Sequence, residues 1–384
     1  MKRRPAAYWL TTVAALLLIV PSSQAQEAVD GPKLNDVVQN GLTYLRDQGQ
    51  DDSGMLSPRA GSGITSLAVT AALRHGCGLD DPLVARGLKA LQGVVKPDGG
   101  IYASDRLRNY ETCVGIMCFA EANKVAGDGR YDEIMKNAGK FVRGLQIGAE
   151  GEVNEDDVQF GGVGYSGKER PDLSNTSYLL EALHSLDAGA DDPTVQRALV
   201  FVSRCQNLDS EFNDTEFAGK VNDGGFYYVI PTEAVDPSTS ERYTANGGLR
   251  SYGSMTYSGF KSLVYAGLTK DDPRAKAALT WIAKNYDLEQ NPGQGSAGLF
   301  YYYNTFGSAL AATGNSLVTT ADGDKHQWQE ELLAQLASTQ RDDGSWVNSN
   351  RQWFENDANL CTAFALMSLS YCDEPLQTDG KDAE

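Results

Sequence analysis

The chain has 384 residues, with 33 Lys and Arg against 51 Asp and Glu and a formal net charge of −18. Its length suits two average domains or one large repeat-built one, and 41% apolar with 22% charged residues excludes a disordered or fibrous chain. The acidic balance excludes nucleic acid as a partner, because phosphate is met by basic patches.

Residues 1–25 read as a signal peptide. Lys2, Arg3 and Arg4 make its basic start, Leu10 to Val20 its apolar run, and Ser23-Gln24-Ala25 the small-x-small site before Gln26. The run is far shorter than the about 20 residues of a membrane helix, and no later stretch is longer, so no integral span is expected. Removing the three cations of this segment takes −18 to −21. The reading is a protein exported to the periplasm or the cell exterior, cleaved after Ala25. Export permits disulfides. Cys113/Cys118 and Cys361/Cys372 each fall within one expected helix at spacings that do not bridge, while a Cys77–Cys205 pair stays open.

Beyond this segment one unit recurs: an amphipathic helix, a glycine-aromatic turn and a more apolar second helix. The first copy has Gly41-Leu42-x-Tyr44-Leu45, then Gln48, a degenerate turn Ser53-Gly54-Met55, and a second helix marked by Thr65 and Ala72. After Asp80-Asp81-Pro82 come Gly87-Leu88-x-x-Leu91, the turn Asp98-Gly99-Gly100-Ile101-Tyr102, then Thr112 and Phe119. The third copy has Ala138-x-x-Phe141-Val142, Gln146, Gly161-Gly162-Val163-Gly164-Tyr165, Thr176 and Leu183. After Asp191-Asp192-Pro193 the fourth has Ala198-Leu199-x-Phe201-Val202, Gln206, Asp223-Gly224-Gly225-Phe226-Tyr227, Thr256 and Leu263. The fifth follows Asp271-Asp272-Pro273 with Ala278-Leu279-x-Trp281-Ile282, Gly298-Leu299-Phe300-Tyr301, Thr305 and Ala312. The last has Leu332-Leu333-x-x-Leu336, Gln340, Asp343-Gly344-Ser345-Trp346, Thr362 and Leu369.

Apolar residues at i, i+3 and i+4 predict one buried face on each first helix. Glycine suits a tight left-handed turn, and the aromatic after it can pin the turn to the helix layer. Six such pairs predict an all-α fold, an α/α toroid spanning 33–372 as one domain, with charged first helices outside and second helices inside. Closing the ring buries the end faces that an open array must cap. Residues 373–384 form an acidic tail. Insertions occupy 148–171 and 207–253, and the Tyr, Gly, Thr and Pro of the second predict a small β excursion over one mouth.

The run Gln340-Arg341-Asp342-Asp343-Gly344-Ser345-Trp346 resembles the Gln…Gly-x-Trp repeat of squalene cyclases. Over roughly residues 33–372 the chain resembles the terpenoid cyclase and protein prenyltransferase toroid superfamily. For class II cyclases the resemblance implies an Asp-x-Asp-Asp-Thr segment whose central Asp protonates an alkene. Asp172-Leu173-Ser174-Asn175-Thr176 keeps its first Asp and its Thr, but Ser174 and Asn175 replace the acids. Asn154-Glu155-Asp156-Asp157 lies in a loop without the Thr. For zinc prenyltransferases the resemblance implies Asp-x-Cys and His-Thr ligands. Glu111-Thr112-Cys113 echoes the first, Cys361 stands where the His would be, and His75, His184 and His326 lie elsewhere. No metal or other cofactor is therefore expected. Cys77-Gly78-Leu79-Asp80 lacks the reactive partners of complement-type thioester domains. Exported polysaccharide lyases and glycosidases share the architecture.

The residues before each repeated Thr, at the inner helix starts, are the candidates for a site at the ring's mouth. The expected ligand-binding set is Tyr110, Asp172, Asn175, Tyr252, Tyr257, Tyr303, Asn304 and Trp353. The expected acids, should the protein be an enzyme, are Glu111, Glu355 and Asp357. Aromatic walls suit a terpenoid-like molecule or a sugar ring. The expected function is binding of a hydrophobic small molecule, a glycan or a protein partner, without cyclase or zinc prenyltransferase chemistry. The alternative is an exported terpenoid- or polysaccharide-converting enzyme using inner-helix carboxylates.

Overall fold

The computed structural model describes residues 33–372 apart from 234, 235, 237 and 239. The segment read as a signal peptide and the acidic tail lie outside the described residues. In chain order the helices are α1 Leu34–Tyr44, α2 Gly63–Arg74, α3 Pro82–Gly93, α4 Arg108–Ala126, α5 Asp132–Gly144, α6 Leu173–His184 and α7 Pro193–Arg204. They continue with α8 Ala218–Val221, α9 Gly253–Tyr265, α10 Pro273–Lys284 and α11 Leu299–Ala311. A ribbon of β1 Leu317–Thr319 and β2 Lys325–Gln327 precedes α12 Trp328–Thr339 and α13 Ala358–Leu369.

The Asp-Asp-Pro segments explain three helix starts. Asp81, Asp192 and Asp272 accept from the N–H of Leu83, Thr194 and Arg274 at 2.9, 2.7 and 2.9 Å, with proline as the first helical residue. The second helices of the six units, α2, α4, α6, α9, α11 and α13, pack each on the next, and α13 returns onto α2. The first helices, α1, α3, α5, α7, α10 and α12, pack around them. Burial follows the layers: Gly63 to Leu73 of α2 are all buried, whereas α5 buries Ala138, Gly139 and Val142.

One set of contacts joins the units. Gln146 Nε2 donates to Gly161 O in its own turn and to Thr194 O at the next outer helix, both at 2.9 Å. Gln206 bridges Gly224 O and Arg274 O in the same way, at 2.9 Å each. Gln340 bridges Gly344 O and Val37 O at 2.9 Å, tying the last unit to the first and closing the ring. In the first unit the bridge is made by Gln50, to Gly54 O at 2.9 Å and Leu83 O at 3.0 Å, and not by Gln48. A π-helical turn over Leu45–Gly49 shifts the register there and leaves Gln48 exposed.

The turn glycines fit the same joint. Gly54, Gly99, Gly161, Gly224 and Gly344 have φ of 86°, 93°, 81°, 82° and 86°. A Cβ at any of them would sit 1.8–2.8 Å from a carbonyl oxygen of the following outer helix. The inner-helix threonines hold the other side: Thr65, Thr112, Thr176, Thr256 and Thr362 Oγ1 accept from the N–H of Leu56, Ile101, Val163, Phe226 and Trp346 at 2.9–3.2 Å. The fifth unit departs from the pattern. Gly298 (φ 64°) is the cap residue just before α11, the turn lies instead at Asn291–Gly295, and Thr305 donates to Tyr302 O.

A small β element is present as the antiparallel ribbon pairing Val318 with His326. The 207–253 insertion, where the composition points to it, holds α8 and an isolated Tyr243–Leu249 bridge. Cys77 and Cys205 are not bridged. Deep inside the ring, Lys261 of α9, 1% exposed, pairs with Glu181 of α6 and donates to Ser308 Oγ of α11 at 3.1 Å. Among the described residues no helix is long and apolar enough to cross a membrane.

Gln340→Leu leaves the carbonyls of Val37 and Gly344 without their bridging donor, and is expected to lower stability by about 1–3 kcal/mol. Gln48→Leu, at an exposed position, is expected to stay within about 0.5 kcal/mol. Urea unfolding of both variants checks this, and equal losses would remove the bridge from the account.

Candidate ligand-binding site

The first two turns of all six inner helices face one end of the ring and bound a cavity of about 640 Å³. Helical spacing selects which side chains reach it. Ser174 and Tyr178 of α6, and Leu360 and Phe364 of α13, are i, i+4 pairs on one face. Ile64, Tyr110, Ser254, Met255 and Tyr301 come from the other four helices, and Tyr165, Tyr228 and Tyr252 from the segments that lead into α6 and α9. Four inner helices are linked by touching rings. Tyr110 lies 6.1 Å from Tyr165 and 5.1 Å, edge-on, from Tyr178. Tyr301 continues the belt at 6.3 Å from Tyr178 and 5.8 Å from Phe364. Its hydroxyl lies 2.8 Å from Ser174 Oγ and 3.2 Å from Ser258 Oγ.

Burial first, and then Asp172, pushes the Tyr165 phenol up to about 12, and burial raises Tyr110, Tyr178, Tyr252 and Tyr301 as well. The wall is therefore a set of neutral rings carrying hydroxyls.

The rim is built from two 3₁₀ turns and an aromatic corner. Pro58–Ala60 presents Arg59, and Asp105–Leu107 presents Arg106. Trp353 and Phe354 sit side by side in left-handed conformation, with φ of 54° and 65°. They are 45% and 70% exposed, which makes them unusual for large apolar residues. The Trp353 ring lies over Gly298, where a Cβ would come within 2.8 Å of it.

Of the residues expected from the sequence, Tyr110, Tyr252, Trp353 and Glu355 line the cavity. The expected acids meet inner-helix N-termini, whose free N–H groups favour negative charge. Glu111 Oε2 accepts from Ser62 N at 3.1 Å, Ser62 Oγ at 2.6 Å and Ala103 N at 2.6 Å. Asp172 caps α6 through Asn175 N and holds the Asn175 side-chain amide, both at 2.8 Å. Asp357 caps α13 through Asn359 N and Leu360 N at 2.9 and 3.1 Å. Glu355, buried in the cavity wall, accepts from Tyr301 N at 2.8 Å and from Asn348 Nδ2 at 2.7 Å. Burial raises its pKa, against the pull of the α11 N–H groups.

Tyr257, Tyr303 and Asn304 lie outside the wall. Tyr257 packs on Tyr302 and Phe306 at 5.7 and 5.1 Å, and the Tyr303 hydroxyl donates to Leu288 O at 2.8 Å. Successive helical residues are about 100° apart, so only one of Tyr301, Tyr302 and Tyr303 turns to the lumen. Tyr178 and Phe364 could have been found from sequence as the i+4 neighbours of Ser174 and Leu360. Arg59, Arg106 and Tyr228 carry no such signal.

No protein-family model and no curated protein matches the sequence. In three dimensions the chain is similar to an α-amylase from Clostridium perfringens at a TM-score of 0.54 and 12% identity, over 87% of this chain and 97% of that one. It is similar to a possible member of the GH105 family from Salmonella enterica serovar Paratyphi A at 0.52 and 10%, over 94% and 98%. It is also similar to the type II terpene cyclase MstE from Scytonema at 0.50 and 14%, over 88% and 98%. The chain folds as an α/α toroid. At such identities the likeness shows the fold and not the chemistry. Among the described residues of this toroid, no three His, Cys, Asp or Glu side chains group as metal ligands.

Burial pushes the Asp172 carboxyl from 3.8 up to about 6, outweighing the hydrogen bonds of Asn175 and Tyr228 and the pull of Arg170. A folded-state pKa above the unfolded one means that its contribution is fully present below pH 4 and lost as pH rises through about 6. Relative to Asp172→Asn, the wild-type Tm is therefore expected to fall between pH 4 and 7. Parallel melting curves across that range would contradict the assignment.

Proposed function

We propose that this toroid binds an apolar, terpenoid-like small molecule in its tyrosine chamber. The observation that carries this reading is the composition of the wall: among the described residues, six tyrosines with Ile64, Met255, Leu360 and Phe364 surround the space, and Glu355 is the one lining acid. Both Glu355 oxygens already accept from Tyr301 N and Asn348 Nδ2. Glycoside cleavage needs two carboxylates on either side of the scissile bond, and cyclisation started by protonation needs a free carboxylic acid aimed at the alkene. Where the Asp-x-Asp-Asp-Thr resemblance implies that acid, Ser174 lies against the Tyr301 hydroxyl. The volume and the aromatic lining suit an apolar body oriented by a few hydroxyls.

Retinol, a fluorescent isoprenoid alcohol, is expected to bind saturably at one site, with maltotetraose unable to displace it. Tyr301→Ala, checked for an unchanged fold by circular dichroism, is expected to weaken binding about tenfold, or about 1.4 kcal/mol. No saturable binding, or equal binding by the variant, would end this reading.

A second reading keeps Glu355 as a general acid, drawing on the burial that raises its pKa in the cavity wall. It would be favoured by turnover of an isoprenoid or glycan that disappears in Glu355→Gln.

Export belongs to the proposal too, on the basic start, apolar run and cleavage pattern of residues 1–25. Expressed in a secreting host, the released protein is expected to begin at Gln26 by mass spectrometry. An intact Met1 terminus on released protein would contradict it.

A further inference from the structure

We infer that the mouth of the chamber recognises a carboxylate, so that the ligand is an amphiphile with an apolar body and an anionic head. The inference rests on the binding reading above and adds the head group to it.

Charge at the mouth runs against the rest of the chain. The whole sequence carries −18, and Arg46, Arg74, Arg143, Arg204 and Arg274 each meet a carboxylate. Arg59 and Arg106 both line the cavity, and among the described residues neither takes part in an ion pair. Glu355, the lining acid, is held back in the wall by the α11 N-terminus and Asn348. Asp105, next to Arg106 in the chain, is not part of the cavity wall.

The segments that flank the two arginine turns are tied to one buried group. Glu111 is 0% exposed. Its Oε2 receives Ser62 N and Oγ, just after the turn that carries Arg59, and Ala103 N, just before the turn that carries Arg106. Gly61, with φ of 95°, lies so close that a Cβ there would sit 2.1 Å from Glu111 Oε1. On its other side the Arg59 turn is tied down by Asn359 Nδ2, which donates to Ser57 Oγ at 2.9 Å. Two separate loops are thus fixed to the same post, and the arginine of each lines an aromatic chamber in which Glu355 is the one acid among the described lining residues.

A guanidinium offers paired N–H donors that match the two oxygens of a carboxylate. A neutral head makes no such match, and a cation is repelled. With the arginines on an exposed rim, this selectivity is weakened by salt, whose screening length is about 10 Å at 0.1 M. Glu111 is on this account a positioning residue: it touches no ligand and fixes the turns that do.

Retinol and retinoic acid share one isoprenoid body and differ in the head, so their affinities separate the two ideas. At low salt, retinoic acid is expected to bind at least tenfold more tightly than retinol, and the ratio is expected to fall as sodium chloride is added. In Arg59→Gln/Arg106→Gln, both on exposed turns, the ratio is expected to drop to about one. Equal binding of the two by the wild-type protein would overturn the head-group inference while leaving the chamber reading intact. A preference that survives the double substitution, or does not respond to salt, would overturn it as well. Binding of neither molecule would sink both.

Discussion

The structure depends on one joint, made where the outer helix ends in four of the six units. A glutamine amide donates both its hydrogens to backbone carbonyls, one in its own turn and one at the head of the next outer helix. A glycine in left-handed conformation lets that turn press against the same neighbouring helix. An inner-helix threonine takes the turn's remaining N–H. Two backbone carbonyls and one N–H are thereby answered at each such joint, which helps an irregular segment lie between two helix layers. Because Gln340 makes the same joint with Val37, the array closes on itself.

Closure has a chemical consequence. All six inner helices turn their first residues toward one mouth, bringing many free backbone N–H groups together there. Glu111, Asp172, Glu355 and Asp357 answer them at α2, α6, α11 and α13. Carboxylates that look catalytic as a list are engaged as caps, and the space between the helices is left to rings and hydroxyls. The strained Trp353–Phe354 corner and the two arginine turns then give this tyrosine chamber a polarised entrance.

The same reasoning explains which parts of the site were legible beforehand. Tyr110 and Tyr252 were readable because they adjoin inner-helix starts. Tyr257 and Tyr303 were not separable from the lining Met255 and Tyr301, since a shift of two positions on a helix reverses the face. Gln48 and Gln50 show the same limit: a single π-helical turn moved the joint by two residues, and nothing in the local composition announces such a turn.

Sequence alone determined the repeat, the closed α/α architecture and most of the glycines, glutamines and threonines of its joints, the Gln50 joint and the fifth turn excepted. These are local or periodic requirements, set by turn geometry and by a buried stripe on each helix. Tertiary structure alone decided the identity of the cavity wall, the engagement of the acids and the meeting of Arg59 with Arg106 at one rim. Those depend on helix rotation and on two loops, through Ser62 and Ala103, sharing one buried carboxylate that lies 49 residues beyond Ser62 in the chain, a relation that no periodicity encodes.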